Sequence, residues 1–248
     1  MNIFQPTFQS TISSRNGLLS TLDASDFARL SPHFKEVPLV AHTVLHESED
    51  TIAHIHFPLS GMVSLFAANS DGDIVETAGI GREGMIGAAV AFGIQPAFGR
   101  AVVQVSGTAL RIPSVQMQRL ADENAGIRAM AARAQEVLLV QAQQVAMCSV
   151  VHGVDARLAR WLLQARDRIG HPTIPIIQES LAQMLGARRT TVNLVLRGLV
   201  ASGLVRCRRG FIEILDAGGL KARSCDCYDA VKQQLERLTP SPNAAAPI

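Results

Sequence analysis

Cysteine is scarce in this chain, with four residues in 248. That is too few for a disulfide framework and suits a reducing compartment. Long apolar runs are missing as well. The longest, residues 84–94, is rich in Gly and Ala and far short of the roughly 20 residues that span a bilayer. The polar residues 1–16 show no charged region followed by an apolar stretch, the mark of a secretory leader. A cytoplasmic protein without a membrane partner is therefore expected. Neither a Gly-x-Ser-x-Gly nucleophile elbow nor a Gly-Lys-Ser/Thr phosphate loop occurs, so no enzyme is expected. Low complexity and internal repeats are absent too, and at 48% hydrophobic and 18% charged the chain has enough apolar side chain to offset its conformational entropy.

Net charge is small, +2, but it is unevenly distributed. Residues 1–150 hold 9 basic against 13 acidic side chains, and residues 151–248 hold 14 against 8. An acidic first part, net −4, thus precedes a basic second part, net +6. The second is the candidate for a phosphate-rich partner.

Residues 37–112 read as short strands rich in Val, Ile, Thr and Phe, at 37–44, 52–57, 61–67, 74–80, 101–105 and 109–112, separated by turn signals such as Asp71-Gly72. That spacing predicts an antiparallel sandwich or barrel. After Pro113 the period becomes helical. Ser114 is the expected cap of a short helix, and a long helix follows over 127–151. Its seam of Met130, Ala134, Val137, Leu138, Gln141, Val145 and Cys148 suits either contact with a second helix or packing on the sandwich. A further helix over 155–169 should bury Leu158, Trp161, Leu162 and Ala165 and leave Arg157, Arg160, Arg166 and Arg168 outside. The Pro- and Ala-rich residues 239–248 read as a disordered tail.

The most informative stretch is 174–215. Residues 178–185 and 189–202 form two helices joined by a turn at Gly186-Ala187-Arg188, the helix-turn-helix arrangement whose second helix enters the major groove. Leu181, Ala182, Leu185, Val192, Leu196, Leu199 and Val200 are spaced to share a core. Arg188, Arg189, Thr190, Thr191 and Asn193 gather at the start of the second helix, where bases and phosphates are reached. Residues 204–215 read as a two-stranded wing with Arg208 and Arg209 at its tip.

Ser180-Leu181-Ala182-Gln183-Met184-Leu185-Gly186 followed by Arg189-Thr190-Thr191-Val192 resembles the winged helix-turn-helix of the Crp/Fnr superfamily of bacterial transcription regulators. Asp155-Ala156-Arg157-Leu158-Ala159-Arg160-Trp161 resembles the helix that opens that domain. Upstream, Phe57-Pro58-Leu59-Ser60-Gly61-Met62-Val63 and Gly81-Arg82-Glu83-Gly84-Met85 resemble strands of its cyclic-nucleotide-binding-type jelly roll. The resemblance implies an α+β chain with an N-terminal antiparallel jelly roll (17–121), a long dimerisation helix (122–152) and a winged helix-turn-helix (153–222). It also implies a homodimer on palindromic double-stranded promoter DNA, with RNA polymerase a further candidate partner. Arg189 matches the family's base-reading arginine and Thr191 a phosphate contact. Thr190 replaces the family's frequent Glu, and Asn193 is a further candidate reader.

For the effector, the family's phosphate turn falls at Gly87-Ala88-Ala89, without its ribose-binding Glu, and the second part at Gly99-Arg100-Ala101. The family's adenine-contacting hydroxyls align with Ala142 and Gln143. The expected pocket is therefore Gly87, Ala88, Ala89, Arg100, Ala142 and Gln143, its ligand is unidentified, and cyclic AMP is disfavoured; no cofactor is expected. A true cyclic-nucleotide-dependent regulator is the alternative within the family. No cysteine precedes Cys148, which disfavours the family's N-terminal iron–sulfur cluster. Cys225-Asp226-Cys227 lacks the second pair of a zinc motif, so no metal is expected there. Cys148 and His152, one helical turn apart, are a candidate redox or metal half-site. His54 and His56 share a strand face, which leaves a cupin-like metal enzyme as a rival from another class, although Leu59, Ser60 and Gly61 stand where that pattern needs a Glu.

Overall fold

The computed structural model describes residues 15–239. At its start Asn16 is fully buried and donates through Nδ2 to the carbonyls of Pro58 and Gly84, at 2.9 and 3.0 Å. Helix α1 (Ala24–Leu30) follows, capped by Asp23, whose side chain accepts from the Asp26 amide. Seven strands come next: β1 (Lys35–Leu39), β2 (Val44–His46), β3 (His54–Pro58), β4 (Met62–Ala68), β5 (Ile74–Ile80), β6 (Arg100–Val105) and β7 (Gly107–Pro113). They pair antiparallel in two sheets, β1-β7-β3 and β2-β6-β4-β5, the expected sandwich.

The single strand expected over 37–44 is in fact two. β1 pairs with β7 and β2 with β6, so the chain crosses between sheets at this point. His42 makes the crossing with a left-handed backbone, φ 68°, held by its amide donating to Val103 O at 2.8 Å. Leu39, Val63, Ile80, Ile86, Ala101, Val103 and Ala109 fill the space between the sheets. Phe57, Ile55, Leu110 and Ile112 form a second core with the helices that follow. Full burial of each large apolar side chain contributes about 1.5–3 kcal/mol.

Helix α2 (Ser114–Glu123) begins one residue earlier than a Ser114 cap allows. Pro113 occupies the cap position, and the buried Ser114 Oγ donates to Ile52 O at 2.5 Å instead, tying the helix to the strand region. Asn124 caps α3 (Ala125–Val151), accepting from the Ile127 amide at 2.9 Å. Of the seam expected on this helix, Met130, Ala134, Val137, Gln141 and Cys148 are buried against the chain itself. The first part of that face packs on the sandwich, as one option has it, and its last turns pack on the C-terminal helices instead.

Gly153 separates α3 from α4 (Val154–Ile169). Leu158, Trp161, Leu162 and Ala165 are buried as expected, whereas Arg160 and Arg168, expected outside, are buried with them. Both find acceptors there. Arg168 Nε lies 2.7 Å from Glu83 Oε1 and its Nη2 2.9 Å from Gln141 Oε1, and Arg160 Nη1 lies 3.0 Å from Gln164 Oε1. Arg168 is thus paired and hydrogen-bonded, as a buried charge requires, whereas Arg160 has a neutral acceptor and its Nε has no hydrogen-bond partner among the described residues.

The C-terminal unit contains α5 (Gln178–Met184), α6 (Arg189–Ala201) and the strands β8 (Thr173–Pro175), β9 (Val205–Arg208) and β10 (Phe211–Ile214). The expected two-stranded wing has a third strand, since β8 pairs with β10 in the order β8-β10-β9. Two helices beyond residue 222 or across it, α7 (Ala217–Arg223) and α8 (Cys227–Leu238), were not legible in the sequence. α8 packs back on α3 and α4 and buries Tyr228 and Val231. The core under α4, α5 and α6 also takes in Met62 and Phe66 of β4, so the two units share apolar contact. Of the expected disordered tail, residues 240–248 lie outside the described residues. Thr239 is buried, with its Oγ1 donating to Leu235 O at 2.9 Å.

Candidate nucleic-acid interface

Helix α5 ends in a tight turn. Gly186 adopts φ 53°, the left-handed region that favours glycine, and the Ala187 amide donates to Ala182 O at 2.9 Å. Leu181, Ala182, Leu185, Val192, Leu196 and Leu199 are buried and hold α5 against α6. Val200, expected among them, is 43% exposed. Arg188 is the cap residue of α6 but makes no side-chain cap bond, so its guanidinium is not spent on the helix.

The start of α6 presents Arg188, Arg189 and Thr190 to solvent, with Thr191 and Asn193 half-buried. Asn193 Oδ1 is covered and has no hydrogen-bond partner among the described residues. Arg189 Nη1 lies 3.1 Å from Glu179 Oε2, with both side chains more than half exposed. Such a pair contributes about 0–1 kcal/mol and leaves Arg189 free to exchange partners. The positive end of the helix dipole adds to these charges. Leu194, 70% exposed, and Arg197 extend the same outward face. Sequence reasoning stopped at Asn193 and missed both, although four- and three-residue steps from Thr190 lead to them.

On the wing, Arg208 and Arg209 are exposed and Gly210 takes φ 79° at the tip. The strands below are joined by Arg206 and Glu213, 3.0 Å apart. Arg189, Arg208 and Arg209 line one groove of about 230 Å³ with Gln178 and Phe211. On the other side, Arg188 and Arg189 face Asn69 and Asp73 of the β4–β5 hairpin across a cleft of about 800 Å³. The recognition helix therefore sits between the wing and the N-terminal unit.

The two units are fastened by buried polar groups. Glu76 of β5 accepts from Ser64 Oγ and, at 2.5 Å, from Trp161 Nε1 of α4. Burial pushes the Glu76 carboxyl above its ordinary range, while the Ser64 and Trp161 hydrogen bonds and the Arg168 and Arg160 charges pull it back.

The expected effector residues are only partly gathered. Gly87, Ala88 and Ala89 line a cavity of about 220 Å³ whose other walls include Ile52, Leu65, Phe66 and Ile94. The long helix supplies Gln135 and Leu138 to it, one to two turns before Ala142 and Gln143, which lie outside the lining. Arg100 is outside it as well, and pairs with Glu47 at 3.1 Å. His54 and His56 do share β3, but Arg111 stands opposite His56 in the strand register. Burial, and then the Arg111 charge, push the His56 imidazole down to about 4. Among the described residues no third metal-ligating side chain joins them. Cys148 and His152 close α3, where they meet Cys225 and Cys227.

Among the described residues no helix is long and apolar enough to cross a membrane. No curated protein matches the chain in sequence. Among solved structures, a transcriptional regulator of the Crp/Fnr family from Eubacterium rectale superposes with a TM-score of 0.67 at 18% identity, over 84% of this chain and 97% of that one. A c-di-GMP-responsive global regulator from Xanthomonas campestris gives 0.64 at 19% identity, over 78% and 100%. A CRP/FNR-family regulator from Thermus thermophilus gives 0.63 at 21%, over 77% and 98%. At these identities the likeness is one of fold. Family models add the sequence signal: a cyclic nucleotide-binding domain matches residues 36–124 and a Crp-like helix-turn-helix domain residues 156–223. With the sandwich, the long helix and the winged helix-turn-helix in that order, the chain belongs to the Crp/Fnr superfamily of transcription regulators.

Proposed function

We propose that the chain is a cytoplasmic homodimer that reads a palindromic promoter through α6 and its wing, without catalysis of its own, under control of a signal received by the sandwich. The observation that carries this reading is the grouping of Arg188, Arg189 and Thr190 at the exposed start of α6 beside Arg208 and Arg209. In it Arg189 is a bidentate reader of guanine, Thr190 and Asn193 are further base readers, and Thr191, Arg188, Arg208 and Arg209 contact phosphate. Leu194 offers an apolar face to a thymine methyl.

The outward side of α3 supports the dimer. Ala129, Ala132, Glu136, Leu139, Gln143, Ala146 and Val150 are all exposed and follow alternate three- and four-residue steps, the spacing of a helix pair. Pairing there allows two α6 helices to meet half-sites about 34 Å apart. RNA polymerase is then reached on the promoter itself. The signal acts on the Glu76–Trp161 fastening and on the hairpin facing Arg189. Cyclic AMP does not suit the cavity beside Gly87 in this reading, because Arg100 lies outside its lining and the walls are largely apolar. Calorimetry with cyclic AMP should show no saturable heat.

The direct test is Arg189→Ala titrated against selected operator DNA. Affinity should fall by about 1–3 kcal/mol with preference relaxed at one base position. Unchanged sequence preference would remove Arg189 from the reading.

A further inference from the structure

Four side chains that no DNA-reading role uses converge at the junction of the two units. Cys148 and His152 come from the end of α3, and Cys225 and Cys227 from the corner between α7 and α8. Their ligand atoms all lie within 4.8 Å of one another, and the three thiols are buried. Cys148 Sγ is 3.5 Å from Cys225 Sγ, and His152 Nδ1 is 3.5 Å from Cys227 Sγ. A tetrahedral zinc with bonds of about 2.3 Å to sulfur and 2.0–2.1 Å to nitrogen places its ligands about 3.8 Å (S to S) and 3.5 Å (S to N) apart. We propose that Cys148, His152, Cys225 and Cys227 form a tetrahedral site for one thiophilic divalent cation of the zinc class, which pins the end of α3 to the C-terminal helices.

The surroundings fit such a site. His152 turns its other nitrogen, Nε2, toward the exposed Asp226 Oδ1 at 3.8 Å, longer than a hydrogen bond but on the side from which a carboxylate orients a ligating imidazole. Three thiolates and a neutral imidazole around a divalent ion carry a net charge of −1, and Arg157 lies where it senses Cys148 and Cys225 electrostatically. Soft sulfur and imidazole donors select zinc over magnesium or calcium. The short separations suit one ion, since the irons and sulfides of an iron–sulfur cluster would force the thiolates further apart. His152 is the C-cap of α3 and Gly153 the N-cap of α4, so the ion would clamp the hinge between sandwich and DNA-binding unit.

The test uses the full chain, purified without a polyhistidine tag under reducing conditions and reconstituted with zinc alone. About one zinc per chain is expected, with retention cut at least about fivefold in Cys225→Ser and in His152→Ala and unchanged in Cys207→Ser. Because a ligand variant that fails to fold would also lose metal, cobalt(II) is loaded into the unaltered chain. Tetrahedral d–d bands with thiolate-to-cobalt charge transfer are expected. Octahedral cobalt spectra, zinc retained equally by the ligand variants, a Cys148–Cys225 disulfide in place of metal, or iron with acid-labile sulfide would each overturn the proposal.

Discussion

Trp161 is the single tryptophan of the chain and one of the links between the two units, so Trp161→Phe is a sharp perturbation. The indole is 5% exposed and donates to Glu76, which is buried beside it. Phenylalanine removes that donor and leaves Glu76 Oε2 with one bond fewer, a cost of about 1–3 kcal/mol. The smaller ring leaves a void worth about 1 kcal/mol more. Urea unfolding at pH 7, followed by far-ultraviolet circular dichroism at fixed protein concentration, should show a loss of about 2–4 kcal/mol. The loss should shrink on acidification. Glu76 has a folded pKa above its unfolded value of about 4.5, so the folded chain holds the proton more tightly. The stability that this carboxyl contributes is complete below about 4.5 and declines as pH rises through the folded value. Protonation also relieves the orphaned oxygen, so Trp161→Phe is harmful chiefly where Glu76 is ionised. In Glu76→Gln, whose amide can still accept from Trp161, the further effect of Trp161→Phe should differ from that in the parent chain by at least about 0.5 kcal/mol. A penalty that stays the same at every pH where the parent chain is folded, with strict additivity in the double variant, would refute this account of the fastening.

Leu139→Glu places a charge on the exposed row of α3 and should weaken self-association at least about tenfold, seen by sedimentation equilibrium, since each Leu buried contributes about 1.5 kcal/mol or more; an unchanged dimer would move the interface elsewhere. The buried His56 has a folded pKa near 4 against about 6.5 unfolded, so the unfolded chain takes up its proton first. Stability should therefore fall between pH 6.5 and 4 by up to about 3 kcal/mol through this group, and His56→Gln should flatten that limb in urea titrations. Replacing Arg208 and Arg209 together by Ala should weaken all DNA sequences alike and lower the log–log salt slope by about 2; a changed base preference would make them readers instead.

The DNA-reading unit is legible because its determinants are local. Gly186 marks the turn, and Leu181, Leu185, Val192 and Leu196 repeat at helical steps on either side. The sandwich is legible as strands, but its topology is not: the crossover at His42 uses a left-handed residue that is not glycine, so composition gives no cue. Arg160 and Arg168 look like solvent residues because their acceptors are set by the fold, with Glu83 lying 85 residues from Arg168. The outward row of α3 is masked by a second, equally periodic inward row through Met130, Ala134, Val137 and Gln141. The Cys148, His152, Cys225 and Cys227 group is invisible to spacing rules, since its halves are 77 residues apart and each alone is incomplete. Of the two helices after the wing, α7 has little local signal beyond Asp216, which caps it by accepting from the Gly219 amide.

Selection of bound duplexes from random DNA by the full chain, followed by stoichiometric titration of the selected site, tests the central claim most directly. The account predicts a two-fold symmetric sequence with half-site centres about one helical turn apart, occupied by two chains per duplex, with a steep loss of affinity in salt. Recovery of no preferred sequence, or saturation at one chain per duplex on an asymmetric site, would contradict it.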